Sequence, residues 1–454
     1  MLFGRTAELK HLNSYYDQEG SQIMVVYGQR NVGKTELLKT FVQDKPNYYY
    51  LARSASEREQ QYQWGRELGR KDIKLPKYPS FSEIFQSLII EKESKKVIII
   101  DEFQYIVRNS DSFMRDLVSF VHSYWQAQNV MIILSSSSIG WIENSMINKI
   151  GDAAYELSSF LKVKELAFEH MMEFFPGFSM EQCIEGYAVL GGIPGLWEHF
   201  NDKLSMKENI CRFILDPHAL LRQEGQRIVE EELRETNVYN SILASIAAGN
   251  HKLNDLYLHT DFSRAKISVY LKNLMELEIV EKVFSYDSEG KENTQKGIYR
   301  ISNHFVDFYF TYLYPNLTEF ETMMPTEFYK KYIMPTFRTY VAEYFKTVCR
   351  QHIEKWNQWG QLPIAIDRIG EWVGKLGSID VVAQNEKGQT IVSICNWDKP
   401  MMRYDDYEWL LFCCKEAKIP ADYIYLFSVR RFDEKLNLEA KVKSNLKLVS
   451  LEDM

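Results

Sequence analysis

Two kinds of hydrophobic pattern alternate along the first third of this chain. Short unbroken apolar runs at Gln22 to Tyr27, Val97 to Ile100 and Val130 to Leu134 read as strands covered on both faces. Asn47 to Ala52 and Tyr155 to Phe160 supply two more strand candidates. Between them, apolar residues recur at helical spacing over Glu36 to Val42, Phe81 to Lys92 and Phe113 to Gln126. Strands separated by helices predict a parallel sheet with helices on both faces.

The pattern then changes. Leu161 to Arg234 is helical throughout, punctuated by Gly191-Gly192-Ile193-Pro194. Tyr239 to Ala248, Leu253 to Thr260 and Ser263 to Leu277 read as three short helices. Two strand arms follow, Val280 to Tyr286 and Gly297 to Ile301, separated by an Asp-Ser-Glu-Gly turn. Three helices and a hairpin predict a winged helix. Beyond an aromatic connector, Phe305 to Tyr314, helices at Tyr340 to His352 and Asp405 to Ala417 mix with strands at Ile379 to Ala383, Thr390 to Cys395 and Tyr423 to Ser428. The turn Asn385 to Gly388 joins the first two of these strands.

With 454 residues, 45% apolar and 26% charged, the chain has the composition of an ordinary globular protein of about three domains. A net charge of −8 argues against a surface that coats nucleic acid all over, and leaves room for one local basic face. The six cysteines (Cys183, Cys211, Cys349, Cys395, Cys413 and Cys414) show no C-x-x-C pair and no ligand spacing with His, as expected of free thiols in a reducing compartment. Met-Leu-Phe-Gly-Arg at the start carries no signal-peptide pattern, and the apolar runs fall far below the ~18 residues of a membrane span. A cytoplasmic protein without membrane contact is expected.

The chemistry lies at the ends of the first strands. Gly28-Gln29-Arg30-Asn31-Val32-Gly33-Lys34-Thr35 fits G-x-x-x-x-G-K-[ST], directly after a strand and before a helix. Backbone N–H groups of such a loop curl around phosphates, and the helix N-terminus adds positive potential. Lys34 reaches the β- and γ-phosphates of ATP, and the Thr35 hydroxyl ligates Mg²⁺. Val97 to Ile100 then carries Asp101 to a strand tip, where open α/β sheets bind ligands. Asp101 is expected to hold Mg²⁺ through water, and Glu102 to polarise the water that attacks the γ-phosphorus. Val130 to Leu134 ends in four serines, Ser135 to Ser138; Ser135 is the expected neighbour of Glu102 and the γ-phosphate. Catalysis is thereby assigned to Glu102, Lys34 and Ser135.

These motifs, with Phe3-Gly4-Arg5-x-x-Glu8-Leu9 before them and Gly191 to Pro194 after, resemble the archaeal-type P-loop ATPase family, which also occurs in bacteria, among the AAA-like and STAND-like NTPases. The resemblance covers nearly the whole chain. It implies an α/β fold: an additional-strand P-loop ATPase core over 1–160, a helical lid over 161–236, a winged helix over 237–302, and a connector with a restriction-nuclease-like domain over 303–454. By it, the segment containing Arg5 wraps the adenine side of the nucleotide, and Gly191 to Pro194 joins core and lid. Relatives often present an Arg to a neighbour's phosphate in an oligomer. The matching stretch here offers Lys149, a point charge without the planar fork of Arg.

Two features decide what the nucleotide site serves. In the winged helix, Ser263 to Leu277 is the expected recognition helix, with Arg264, Lys266 and Lys272 facing DNA phosphates and Lys282, Lys291 and Lys296 on the wing. Yet Val238 to Arg300 holds eight Lys/Arg against eight Asp/Glu, so DNA and a protein surface remain competing partners. In the C-terminal domain a restriction-type metal site needs a helix Glu, a strand-tip Asp and a Glu-x-Lys. Lys346 stands at the helix position, Asp380 is kept, and Ile394 and Asn396 replace Glu and Lys. One carboxylate is too few for a cleaving Mg²⁺ site. The leading expectation is an ATP-driven switch or remodeller whose winged helix and nuclease-like domain bind a partner without cleavage. The alternatives are an ATP-dependent DNA-binding protein or nuclease, and a regulatory scaffold that binds protein through its C-terminal domain.

Overall fold

The computed structural model describes residues 2–88, 95–123, 130–230, 233–287 and 297–454, and the chain divides into two compact units. The first comprises Met1–Leu166 with Ile193–Gly195, the second Ala167–Gly192 with Leu196–Met454.

In the first unit, β1 (Gln22–Tyr27), β2 (Asn47–Leu51), β3 (Lys96–Asp101), β4 (Val130–Ser136) and β5 (Ser159–Lys162) form one sheet. Its order is β2-β3-β4-β1-β5 and every pairing is parallel. The additional strand β4 thus lies between β1 and β3. Side chains of one parity from β1, β3 and β4 (Met24, Val26, Val97, Ile99, Met131, Ile133) pack with Leu12 of α1 (Thr6–Tyr16) and with Leu37, Leu38 and Phe41 of α2 (Lys34–Phe41). The other parity packs on α3 (Glu57–Gly69), α4 (Phe81–Ser87) and α5 (Phe113–Ser123). Burial on both faces explains why these strands read as continuous apolar runs.

Three details depart from the sequence pattern. The segment of Tyr155 and Glu156 is not strand but a 3₁₀ turn, Gly151–Glu156, and β5 starts at Ser159. The expected helix Phe81 to Lys92 ends at Ser87, with 89–92 outside the described residues, and the helix expected over Phe113 to Gln126 is present from Phe113 to Ser123, with 124–126 outside the described residues. The helix α3 gives almost no apolar signal because only Gln60, Trp64 and Leu68, four residues apart, are buried. That spacing is enough to dock it: the Trp64 ring stacks on Tyr50 at 4.0 Å and 6°, and the Ser56 side chain caps its start.

In the second unit, α6 (Met180–Leu190) opens with a capping box from Ser179 and Gln182 and closes at Gly191, whose positive φ of 62° favours glycine. The helices α7 (Thr236–Ala247), α8 (Leu253–Thr260) and α9 (Arg264–Glu276) precede an antiparallel pair, β6 (Val280–Val283) and β7 (Ile298–Ile301). Of the polar turn between the arms, Asp287 is described, and 288–296, including Lys291 and Lys296, lie outside the described residues. A long helix, α10 (Phe337–Gln358), leads into a mixed sheet of β8 (Arg368–Val373), β9 (Ser378–Gln384), β10 (Thr390–Asn396), β11 (Tyr423–Ser428) and β12 (Leu446–Ser450). Its order is β12-β11-β10-β9-β8, with α11 (Tyr404–Ala417) supplying Tyr407, Leu410, Cys413 and Cys414 to its core. Both edge strands, β8 and β12, escaped the sequence pattern because few of their residues are buried: Trp372 in β8, and Leu446 and Val449 in β12.

Trp64 carries the outer side of the first sheet. Trp64→Ala should lower stability by about 3–5 kcal/mol, read as a shift in urea unfolding followed by circular dichroism. A loss below about 1 kcal/mol would mean that α3 is not anchored through this ring.

Candidate functional site

The loop Gly28–Thr35 joins β1 to α2, and its shape depends on two residues with left-handed backbone, Asn31 (φ 62°) and Gly33 (φ 99°). Gly28 is required for another reason. A Cβ there would lie 2.2 Å from the carbonyl oxygen of Val163, because Val163 N–H donates to Tyr27 O at 2.7 Å and holds that chain against the loop. Val32 is buried in the core beneath.

Lys34 is 6% exposed and folds over its own loop, donating to the carbonyls of Gly28 and Gln29, each at 2.9 Å. Gln29 and Asn31 are half-buried and Arg30 is exposed. Gly195 N–H donates to Asn31 O at 3.0 Å, so Ile193–Gly195 lies on the phosphate loop and packs within the first unit.

Arg5 is almost wholly buried, at 4% exposure. Its guanidinium donates to Glu8 at 2.8 Å, Val32 O at 2.8 Å and Lys164 O at 2.7 Å. These bonds brace the loop from below, so the structure gives this side chain a supporting place rather than a free one beside an adenine. Most of the segment expected to wrap the base is the first turn of α1.

At the tip of β3, Asp101 and Glu102 diverge. Asp101 Oδ2 accepts from the Thr35 hydroxyl at 3.3 Å and the Tyr49 hydroxyl at 2.5 Å. Glu102, at a left-handed φ of 53°, turns the other way. Its Oε2 accepts from Gln104 Nε2 at 2.5 Å, Ser137 N–H at 3.1 Å and Ser137 Oγ at 2.8 Å. The strand-tip serine beside Glu102 is therefore Ser137. Ser135 lies within β4, its hydroxyl fully buried and without a hydrogen-bond partner. The reason is register: β4 stays paired with β1 through Ser136, two residues beyond its last apolar residue. A serine run hides where a strand stops, whereas the pairing partner Tyr27 reveals it.

Sequence reasoning placed Lys34, Thr35, Asp101 and Glu102, and the structure gathers them at the C-terminal ends of β1 and β3. It missed Tyr49, Ser137 and Gln104. The Tyr48-Tyr49-Tyr50 run read only as strand, and nothing in it marks the middle ring as the one turned toward Asp101. Lys149 forms an ion pair with Asp111 at 2.7 Å.

In the second unit, Lys346 and Asp380 do meet. The Lys346 ammonium lies 3.5 Å from Asp380 and 3.0 Å from Glu343. Burial pushes this ammonium's pKa down, but the two carboxylates outweigh it and hold it above the ordinary lysine value. The other Asp380 oxygen accepts from Cys395 N–H at 2.9 Å. Asn396 is turned into its own loop, bonded to Ser428 and Lys399. On α9, Arg264 is tied to Asn254 at 2.6 Å and lies over the Tyr257 ring, Lys266 lies over Phe262, and Lys272 is 3.7 Å from Glu276.

A glycine-shaped loop closing on a helix N-terminus, next to a strand-tip Asp-Glu pair in a sheet of this order, is the arrangement of P-loop nucleoside triphosphatases. Comparison with known proteins agrees. Residues 2–200 match an ATPase domain found predominantly in Archaea, and residues 309–407 match a domain of archaeal and bacterial proteins of unknown function. An uncharacterized protein of Methanocaldococcus jannaschii is 28% identical over 396 residues, 85% of each chain. Among solved structures, a Walker-type ATPase of Pyrococcus abyssi is similar at 19% identity and a TM-score of 0.48, covering 68% of this chain and 96% of that one. The Aeropyrum pernix ORC2 protein, in ADPNP and ADP complexes, is similar at 12% identity and a TM-score of 0.43, covering 70% and 95%. Residues 2–200 form an ATPase domain of the kind found predominantly in Archaea, and the chain is a nucleotide-binding, ATP-hydrolysing enzyme. No helix among the described residues is long and apolar enough to cross a membrane.

Proposed function

We propose that this ATPase is a molecular switch or remodeller, in which the nucleotide state of the first unit governs a winged helix and a nuclease-shaped binding domain in the second. Convergence of Lys34, Thr35, Asp101 and Glu102 at one end of the sheet is the observation that carries this reading. Backbone N–H groups of Gly28 to Lys34 cradle the phosphates, and Lys34 leaves its two loop carbonyls to meet the β- and γ-oxygens. The Thr35 hydroxyl and Asp101 carboxylate, 3.3 Å apart, suit Mg²⁺, a hard cation that takes oxygen ligands and keeps several waters. When bound, Mg²⁺ draws charge from the phosphate oxygens. Glu102 takes the proton of the attacking water, and Ser137, donating to Glu102, aligns it and contacts the γ-phosphate in place of Ser135.

For the second unit, the Lys346 pairing with Asp380 and Glu343 supports a domain that binds rather than cleaves: the ammonium already supplies the positive charge between these carboxylates. DNA is one partner for the three-helix and hairpin module. The local pairing of Arg264, Lys266 and Lys272 favours a protein partner instead. Oligomerisation and a cytoplasmic location belong to this proposal, the latter supported by six unpaired cysteines.

Lys34→Ala should abolish or severely weaken ATP binding in calorimetry, and Glu102→Gln should keep ATP while turnover falls by about 10²–10⁴-fold. Turnover of the glutamine variant within about twofold of wild type would remove Glu102 as the base. Incubated with single- or double-stranded DNA or RNA and Mg²⁺ or Mn²⁺, the protein should leave the substrate intact. Cleavage that disappears in Asp380→Ala would make the second unit a nuclease.

A further inference from the structure

The site holds a contact that the ATPase motifs do not include. β2 turns Tyr48 and Tyr50 into the core on one face of the sheet and leaves Tyr49 on the other, half-buried, on the side of α1 and α2. Tyr49 pairs in register with Ile99, two residues before Asp101 on β3. From there the ring runs along the strand direction to the tip. Its hydroxyl donates at 2.5 Å to Asp101 Oδ2, the oxygen that the Thr35 hydroxyl also reaches. The opposite oxygen, Oδ1, accepts from the backbone N–H of Glu102 at 3.1 Å. With a separate anchor on each oxygen, the Asp101 carboxylate cannot rotate freely about its last bond.

We propose that Tyr49 is a positioning residue of the hydrolytic site, fixing Asp101 in the orientation in which it and Thr35 take up Mg²⁺ with ATP. The inference rests on the reading of Thr35 and Asp101 as the metal-binding pair. The choice of residue fits the task. A lysine at this distance would orient the carboxylate but cancel its charge and repel a divalent cation, whereas a neutral phenol orients it and leaves the charge intact. A phenol is protonated at neutral pH, so it serves as a donor there. Packing alone does not call for the hydroxyl, since Phe, Val or Ile would satisfy the strand.

The test compares full-length wild type, Tyr49→Phe and Asp101→Asn. ATP binding is measured by calorimetry in EDTA and at stepped Mg²⁺ concentrations, with turnover recorded at the same concentrations. The phenylalanine keeps the ring, so the thermal unfolding midpoint and ATP affinity in EDTA should stay at wild-type values. The Mg²⁺ concentration for half-maximal tightening of ATP binding, and for half-maximal turnover, should rise about tenfold, as expected when an outer-shell partner of a metal ligand is lost. If Asp101→Asn shifts the Mg²⁺ midpoint and Tyr49→Phe leaves it within twofold of wild type, Tyr49 has no positioning role and the metal reading stands. An equal loss of ATP affinity in EDTA and in Mg²⁺ would overturn the proposal in favour of a packing role. A wild-type Mg²⁺ response from Asp101→Asn would overturn the metal reading and this proposal with it.

Discussion

Everything in the first unit is arranged around the close approach of one stretch of backbone to another. Gly28 has no side chain because the Val163 carbonyl occupies the place where a Cβ would be, and that carbonyl is fixed by β5 pairing with β1. The loop above it follows from that constraint. Val32 fills the core below, Arg5 ties Val32 O to Lys164 O, and Gly195 holds Asn31 O. A phosphate cradle made of N–H groups works only if these groups already point inward before ligand arrives. Here the supports come from Arg5 just before α1, the backbone of Val163 and Lys164 just past β5, and the Ile193–Gly195 segment, all far apart in sequence.

Asp101, Glu102 and Asp380 are each held by partners of a different kind. Asp101 is held by neutral hydroxyls, which leave its charge available to a cation. Glu102 is held through one oxygen by Ser137 and Gln104, and its left-handed backbone stores strain typical of functional turns. Asp380 is held by an ammonium, which satisfies its charge internally. The same residue type thus keeps its charge uncompensated by a cation in one unit and is neutralised internally in the other.

How much of this the sequence disclosed depends on whether the determining contact was local. The strands β1, β3 and β4 announce themselves because both faces are buried, and the phosphate loop because its spacing is a local requirement of backbone geometry. The helix α3, carried by Trp64 against Tyr50, and the edge strands β8 and β12 are held by distant partners and leave weak patterns. The same holds within the site. Lys34 and Asp101 lie in motifs, whereas Tyr49 reaches its partner across strands, and the serine beside Glu102 is selected by where β4 stops pairing with β1. Arg5 was legible as part of a segment; its buried role beneath the loop depends on carbonyls 27 and 159 residues away.

In the proposed switch, ATP in the first unit changes the state of the second. Covalent continuity gives the means: the chain leaves α6 at Gly191, crosses the phosphate loop as Ile193–Gly195, and returns to the second unit at Leu196. The most direct measurement is amide hydrogen exchange of Glu102→Gln with and without saturating ATP and Mg²⁺. The account predicts altered protection in Met180–Leu190 and in helices or strands beyond Leu196, besides that of the phosphate loop. Changes confined to 1–166 and 193–195 would contradict it and leave an ATPase without a switch.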